Sequence, residues 1–256
     1  MWTFKNISTF CGFVFVGLLI GTLKFDISFG WAVLVLLFWL GNVVWGSLTI
    51  QSGYFVKAYC SGNSQNQIAL TFDDGPHPAT LQVLELLEKH KAKATFFCIG
   101  KQIEKYPDIF KKIIEKGHAV GNHSYSHSNY FGFFSSEKVK NELNLTDTLI
   151  KKHFGKKPLF FRPPFGVTNV HIMLALKKTK HFTIGWNIRS LDTFIKSEET
   201  ILKRILKRLK PGSIILLHDT SQRTVNVLEQ LLIHLDRENF QPVMVDQLLN
   251  IPAYEI

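Results

Sequence analysis

The chain has 256 residues, with 30 lysines and arginines against 20 acidic side chains, a length that fits one large domain or two small ones. At 46% hydrophobic and 13% aromatic it can bury a sizeable core, which excludes a disordered chain. Three cysteines, Cys11, Cys60 and Cys98, are too few for a disulfide-built scaffold or a cysteine-rich zinc module.

The net charge of +10 opens three kinds of partner: nucleic acid, a membrane surface and an anionic polymer. It also averages two unlike regions. Up to Lys57 the only charged side chains are Lys5, Lys24, Asp26 and Lys57, a balance of +2, so +8 remains for residues 58–256. Residues 7–23 and 27–50 carry no charge over 17 and 24 positions. A membrane-crossing helix needs roughly 20 apolar residues, so the second run spans comfortably and the first at the lower limit. Trp31, Trp39 and Trp45 suit packing or interfacial anchoring. No clear small-residue cleavage site follows the first run, which favours retention over removal. The expectation is a transmembrane hairpin over residues 1–57, followed by a soluble domain over 58–256. The plain alternative is a pair of core helices.

From residue 67 the pattern alternates. Apolar runs at 67–72, 94–99, 118–121, 159–161, 181–186 and 213–217 read as strands, and 242–249 completes the series. Helical spacing is read around 80–90, 107–116, 139–150, 170–178, 197–209 and 225–235. Ser197 is the expected cap of the fifth of these, with Glu198 and Glu199 in its first turn. Alternating strands and helices imply an α/β domain, with a parallel sheet or a βα barrel. Functional groups then belong at the C-terminal ends of the strands.

Five strand ends carry ionisable groups: Asp73-Asp74, His123 with His127, Arg162, Asp192, and His218-Asp219. Adjacent aspartates in extended backbone point to opposite sides, so at a strand end one can bind metal while the other faces substrate. Alone, Asp-Asp-Gly-Pro reads as a turn. His123 and His127 stand at i and i+4, on one face if that stretch coils into a helical turn, a spacing that suits two ligands of one divalent ion. Arg162-Pro-Pro-Phe-Gly166 is stiffened by two prolines, and its arginine can hold a carboxylate by two prongs. His218 follows four aliphatics and so sits at a strand end, and Asp219 reads as a cap for the next helix.

Together these segments resemble the polysaccharide deacetylases, the NodB-homology domain of carbohydrate esterase family four. The matches run in order through Thr71-Phe-Asp-Asp-Gly75, His123-Ser-Tyr-Ser-His127, Arg162-Pro-Pro-Phe-Gly166, Asp192 and Leu216-Leu-His218-Asp219. The resemblance covers about residues 67–249 and implies a distorted (β/α)7 barrel preceded by the hairpin. It implies Asp73 as general base, with Asp74, His123 and His127 holding one divalent ion, zinc above others. It further implies Arg162 as the holder of Asp73, His218 as general acid and Asp192 as its orienting partner. The Phe165 N–H would help bind the oxyanion, while Leu216 would line the acetyl pocket, and Pro164 belongs with them on the substrate side. One segment departs from the family pattern: in Trp186-Asn-Ile-Arg-Ser-Leu-Asp192-Thr193, Arg189 replaces an acidic residue and Thr193 a tryptophan.

The implied activity is hydrolysis of the acetamide of an N-acetylglucosamine-type glycan, which would be peptidoglycan, chitin-like or an exported polysaccharide. O-deacetylation of a glycan and deformylation of a lipid-linked amino sugar would use the same residues, and a degenerate barrel would only bind glycan. The basic run Lys203-Arg-Ile-Leu-Lys-Arg-Leu-Lys210 has the apolar spacing of an amphipathic barrel helix, so nucleic acid is not the expected partner. Its sharper reading is a face for anionic lipid or polymer. Expected partners are therefore the N-acetylated glycan and, through the hairpin, membrane lipid. The substrate places the catalytic domain outside the cytoplasm, against the mild lysine bias.

Overall fold

The computed structural model describes residues 3–255. Two long helices come first, α1 (Phe4–Phe25) and α2 (Gly30–Leu48). The chain reverses between them because Gly21 lacks a side chain where Ile27 folds back, and Asp26 takes a left-handed conformation at φ 53°. The indole N–H of Trp39 donates to Ser8 Oγ at 2.9 Å and ties the pair together. Most of their side chains stay exposed, Phe13 and Leu37 among them. By length and composition both helices could cross a membrane. They are not core helices of the barrel.

After a helical turn (Ile50–Ser52), Tyr54 and Phe55 are buried against Phe4, Ile7 and Cys11. The barrel elements follow in order: β1 (Ala58–Tyr59), β2 (Gln67–Asp73), α3 (Pro78–Lys89), β3 (Ala94–Cys98), α4 (Gly100–Lys105), α5 (Pro107–Glu115) and β4 (Ala119–Asn122). Next come α6 (Ser136–Phe154), β5 (Phe160–Phe161), α7 (Val170–Thr179), β6 (Phe182–Ile184), β7 (Ile188–Arg189), α8 (Glu198–Leu206) and β8 (Ile214–His218). The chain ends with α9 (Gln222–Arg237), β9 (Gln241–Pro242) and α10 (Val245–Leu249). The strands pair in parallel in the order β1-β6-β5-β4-β3-β2-β8-β7, with β9 beside β2. The sheet curls into an open (β/α) barrel, and a bridge between Ser61 and Ser213 draws its edges together.

Alternation along the strands builds two cores. On β2, Ile68, Leu70 and Phe72 face outward beneath the helices, as do Ile215 and Leu217 of β8; they pack with Val83, Leu87 and Leu228. The inward row holds Ala69, Phe97, Ile184, Trp186, Ile214 and Leu216. Register on β2 and β8 pairs Thr71 with Leu216 and Asp73 with His218. Two strand ends therefore carry polar side chains side by side at the barrel mouth.

Six expected strands are present, and the seventh is not. Of residues 242–249 only Pro242 lies in a strand, the two-residue β9, and the last bond to β2 runs from the Val243 N–H to the Ile68 carbonyl at 2.9 Å. Gln247 Oε1 then accepts the Met244 N–H at 3.3 Å, and Val245 and Leu248 are buried at helical spacing in α10. Strands β1 and β7 are additions; each has two residues, too few to show alternation.

Candidate active site

Asp73 ends β2 nearly buried, at 4% exposure. Arg162, fully buried after β5, donates from Nη1 to Asp73 Oδ1 and to Thr71 Oγ1, both at 2.8 Å. Its Nε reaches the Ile184 carbonyl at 3.0 Å and its Nη2 the Gly185 carbonyl at 2.9 Å. The guanidinium lies 4.1 Å from the centre of the Phe97 ring, and each of its nitrogens has an acceptor. Burial pulls the Arg162 pKa down against the Asp73 carboxylate, which supports its charge. The pair is rigid, and removing either partner would strand a buried charge at a cost of about 3–5 kcal/mol.

Asp74 turns away through a left-handed backbone at φ 74°. Its Oδ1 lies 3.4 Å from Nε2 of both His123 and His127. The three candidate ligand atoms fall within 4.8 Å of one another. His123 Nδ1 meets the Arg162 carbonyl at 2.7 Å, so it carries the proton and leaves the Nε2 lone pair facing inward. Asp74 Oδ1 is buried and has no hydrogen-bond partner among the described residues. Lone pairs converging on one point with an orphaned carboxylate oxygen fit a divalent cation. Burial above all pushes His127 down to about 4, which leaves it neutral and ligand-competent at neutral pH.

The histidine segment is not a helical turn. Ser124 and His127 take left-handed conformations at φ 62° and 45°. The loop holds because Asn122 Oδ1 accepts the Ser124 N–H at 2.9 Å and Ser124 Oγ accepts the His127 N–H at 3.1 Å. From α6, the buried Glu142 carboxylate accepts the N–H groups of Tyr125 and Ser126 at 3.1 and 2.7 Å. Sequence reasoning missed Asn122 and Glu142. The available signals were an asparagine directly before the first histidine and an acidic residue on the apolar face of a helix.

Across the mouth, His218 Nδ1 meets Asp192 Oδ1 at 2.7 Å, and its backbone N–H donates to Asp192 Oδ2 at 2.8 Å. Ser190 and Thr224 hydroxyls donate to the same carboxylate, both at 2.8 Å. These two side chains also escaped the sequence reading. Burial disfavours a charged His218, yet the hydrogen bond and charge of Asp192 prevail and raise it to about 9.

Phe165 stands half-exposed in a left-handed conformation at φ 59°, its ring centroid 4.8 Å from that of His127. Pro164 is buried in the loop that presents it, and a side chain at Gly166 would collide with Trp186. Leu216 lies on the inward row beside Trp186. Asp219 does not cap α9: Ser221 does, accepting the Thr224 N–H at 3.4 Å. Asp219 is instead buried against Gly75, accepts from Thr80 Oγ1 at 2.5 Å, and is pushed up to about 7, chiefly by burial.

A family profile described as polysaccharide deacetylase matches residues 61–184. The chain is 36% identical over 193 residues to a peptidoglycan-N-acetylglucosamine deacetylase of Bacillus cereus, covering 73% of this chain and 90% of that one. The chain belongs to the polysaccharide deacetylase family. By family it is a hydrolase of carbon–nitrogen bonds other than peptide bonds. The solved structure of a peptidoglycan N-acetylglucosamine deacetylase, in complex with a substituted N-oxidanyl-benzamide, overlays with a TM-score of 0.72 at 31% identity, over 77% of this chain and 94% of that one. A family pseudoenzyme from Bacillus anthracis overlays with a TM-score of 0.70 at 26% identity, over 75% and 68%. Shared fold therefore does not decide activity; side chains do. Asp192 and His218 lie beyond the profile match, so their pairing is an observation of this chain's geometry.

Proposed function

We propose that this chain is a membrane-anchored, metal-dependent N-deacetylase that removes acetyl groups from N-acetylglucosamine-type residues of a cell-wall or exported glycan. Residues 1–57 form the anchor and 58–256 the catalytic domain. The observation that carries the reading is the placement of three kinds of group at one mouth: a clamped carboxylate, a cluster of inward lone pairs, and a charged imidazole on the strand beside the carboxylate. The relatives' printed activities supply the substrate class. The ligand of the solved relative carries a hydroxamate, a group that chelates metal ions, which favours the same mechanism.

Asp74, His123 and His127 would hold the cation, and an imidazole and carboxylate set suits zinc. Bound there, the ion supplies Lewis-acid polarisation of the acetyl carbonyl and lowers the pKa of attacking water. Asp73, oriented by Arg162, takes the proton of that water. The Phe165 N–H is assigned to the developing oxyanion. His218, charged below about pH 9, gives its Nε2 proton to the departing nitrogen, which could not otherwise leave. Leu216 and Pro164 shape the wall around the acetyl group. The domain works on the extracytoplasmic side. Product analysis on N-acetylated chito-oligosaccharides and peptidoglycan tests the proposal: acetate with a free amino sugar is expected, whereas formate, or release from esters alone, would reassign the reaction.

A further inference from the structure

A second constellation lies between the candidate active site and the end of α2. A cavity of about 220 Å³ is lined by Leu48, Gln51, Trp186, Arg189, Arg204 and Arg208, with Phe165 at its rim. Three arginines line it, and none of them has a carboxylate within ion-pair distance among the described residues. The Arg189 guanidinium lies over the Trp186 ring, 5.9 Å from its centroid. Arg204 Nε donates to the Arg189 carbonyl at 2.8 Å, so α8 and β7 are locked together. Unpaired like charges in one recess repel, and an anion relieves them. Arginine also matches the geometry of phosphate oxygens.

The register of β7 and β8 sets Arg189 beside Leu216, on the acetyl side of the mouth. It is also the position at which the chain departs from the acidic residue of the family pattern. The opposite wall belongs to the membrane hairpin. Thr168, three residues beyond Phe165, donates its N–H to the Ser47 carbonyl at 3.1 Å, and Gln51 Nε2 donates to the Trp186 carbonyl at 2.9 Å. The neighbouring loop, tied to this one by a 2.6 Å bond from Asn169 Nδ2 to the Gly132 carbonyl, exposes Tyr130 and Phe133. Exposed aromatics beside the end of a span belong at a bilayer interface. These contacts join the rim of the mouth to the end of the proposed hairpin, with the cationic cavity beside that end.

We propose that Arg189, Arg204 and Arg208 bind the phosphate of a lipid-linked acetamido sugar, so that the enzyme deacetylates a membrane-borne precursor rather than a finished polymer. This rests on the deacetylase reading above and narrows its substrate. The test uses the full chain in phosphatidylcholine nanodiscs with three ligands: polyprenyl-pyrophosphoryl-N-acetylglucosamine, soluble N-acetylglucosamine 1-phosphate and neutral chitotetraose. The lipid-linked sugar should bind at least tenfold more tightly than either of the others. Arg189→Gln/Arg208→Gln, and separately the exposed Arg208→Glu, should remove most of that advantage in binding and in relative kcat/KM. No preference for the lipid-linked sugar, or a preference that survives both variants, overturns the proposal. So does equal occupancy by phosphatidylglycerol, which would make this a general headgroup site, or by the soluble sugar phosphate, which would remove the lipid. Arginine-dependent binding without acetate release from any ligand would uphold the cavity and overturn the deacetylase reading instead.

Discussion

On the β8 side of the mouth, both oxygens of the Asp192 carboxylate are met twice, by Ser190 and the His218 ring at one and by the His218 N–H and Thr224 at the other. On the β4 side, Asp74 Oδ1 is equally hidden but meets only the lone-pair edges of two imidazoles. The first arrangement is electrostatically complete as folded; the second leaves a buried carboxylate oxygen unpaired, which fits the proposed cation. Polar satisfaction, judged oxygen by oxygen, thus separates a proton-handling pair from a ligand set built of the same residue types.

Breaking the clamped carboxylate between the two sides should cost most. Asp73→Asn is expected to lower kcat by about 10³-fold or more while metal content, read by elemental analysis, stays at the wild-type level. Arg162→Ala should lower stability by about 3–5 kcal/mol in denaturant titrations, because it strands Asp73 in a buried site. On the β8 side, Asp192→Asn should cost about 10–100-fold in kcat. As the proposed general acid His218 acts in its protonated form, so wild-type rates should hold below about pH 9 and fall above it; in the variant that limb should move towards the ordinary 6.5. The sign carries over to stability. A raised imidazole stabilises the fold fully below 6.5, and that contribution fades as the pH rises through about 9, so the Tm gap between wild type and Asp192→Asn should narrow over that window. On the β4 side, Glu142→Gln should weaken metal affinity about tenfold by loosening the histidine loop, with a smaller change in kcat at saturating metal. Phe165→Tyr should change kcat less than about threefold, since the proposed contribution is a main-chain N–H.

The strands that position the site were legible because their alternation is long. β2 and β8 each carry five or more residues, so the inward row ending in Asp73 and His218 can be read from spacing. β1 and β7 have two residues each and leave no period to detect, and the helical burial of Val245 and Leu248 turns most of an expected strand into α10. Site residues were legible as types at strand ends. The conformations that aim them were not: the loop that holds the left-handed Ser124 and His127 is braced by Glu142 from a separate helix, through the Tyr125 and Ser126 N–H groups. Asp219 illustrates the same limit. Its adjacency to a helix suggested a cap, whereas its contacts are with Gly75 and Thr80, more than a hundred residues away.

The most direct test of the account is a metal titration of the chelator-stripped full chain, with acetate release from an N-acetylglucosamine glycan measured at each step. The account predicts no release from the stripped protein and recovery that saturates at one zinc per chain, with no recovery in His127→Ala at that stoichiometry. Acetate release that persists after complete stripping would contradict it.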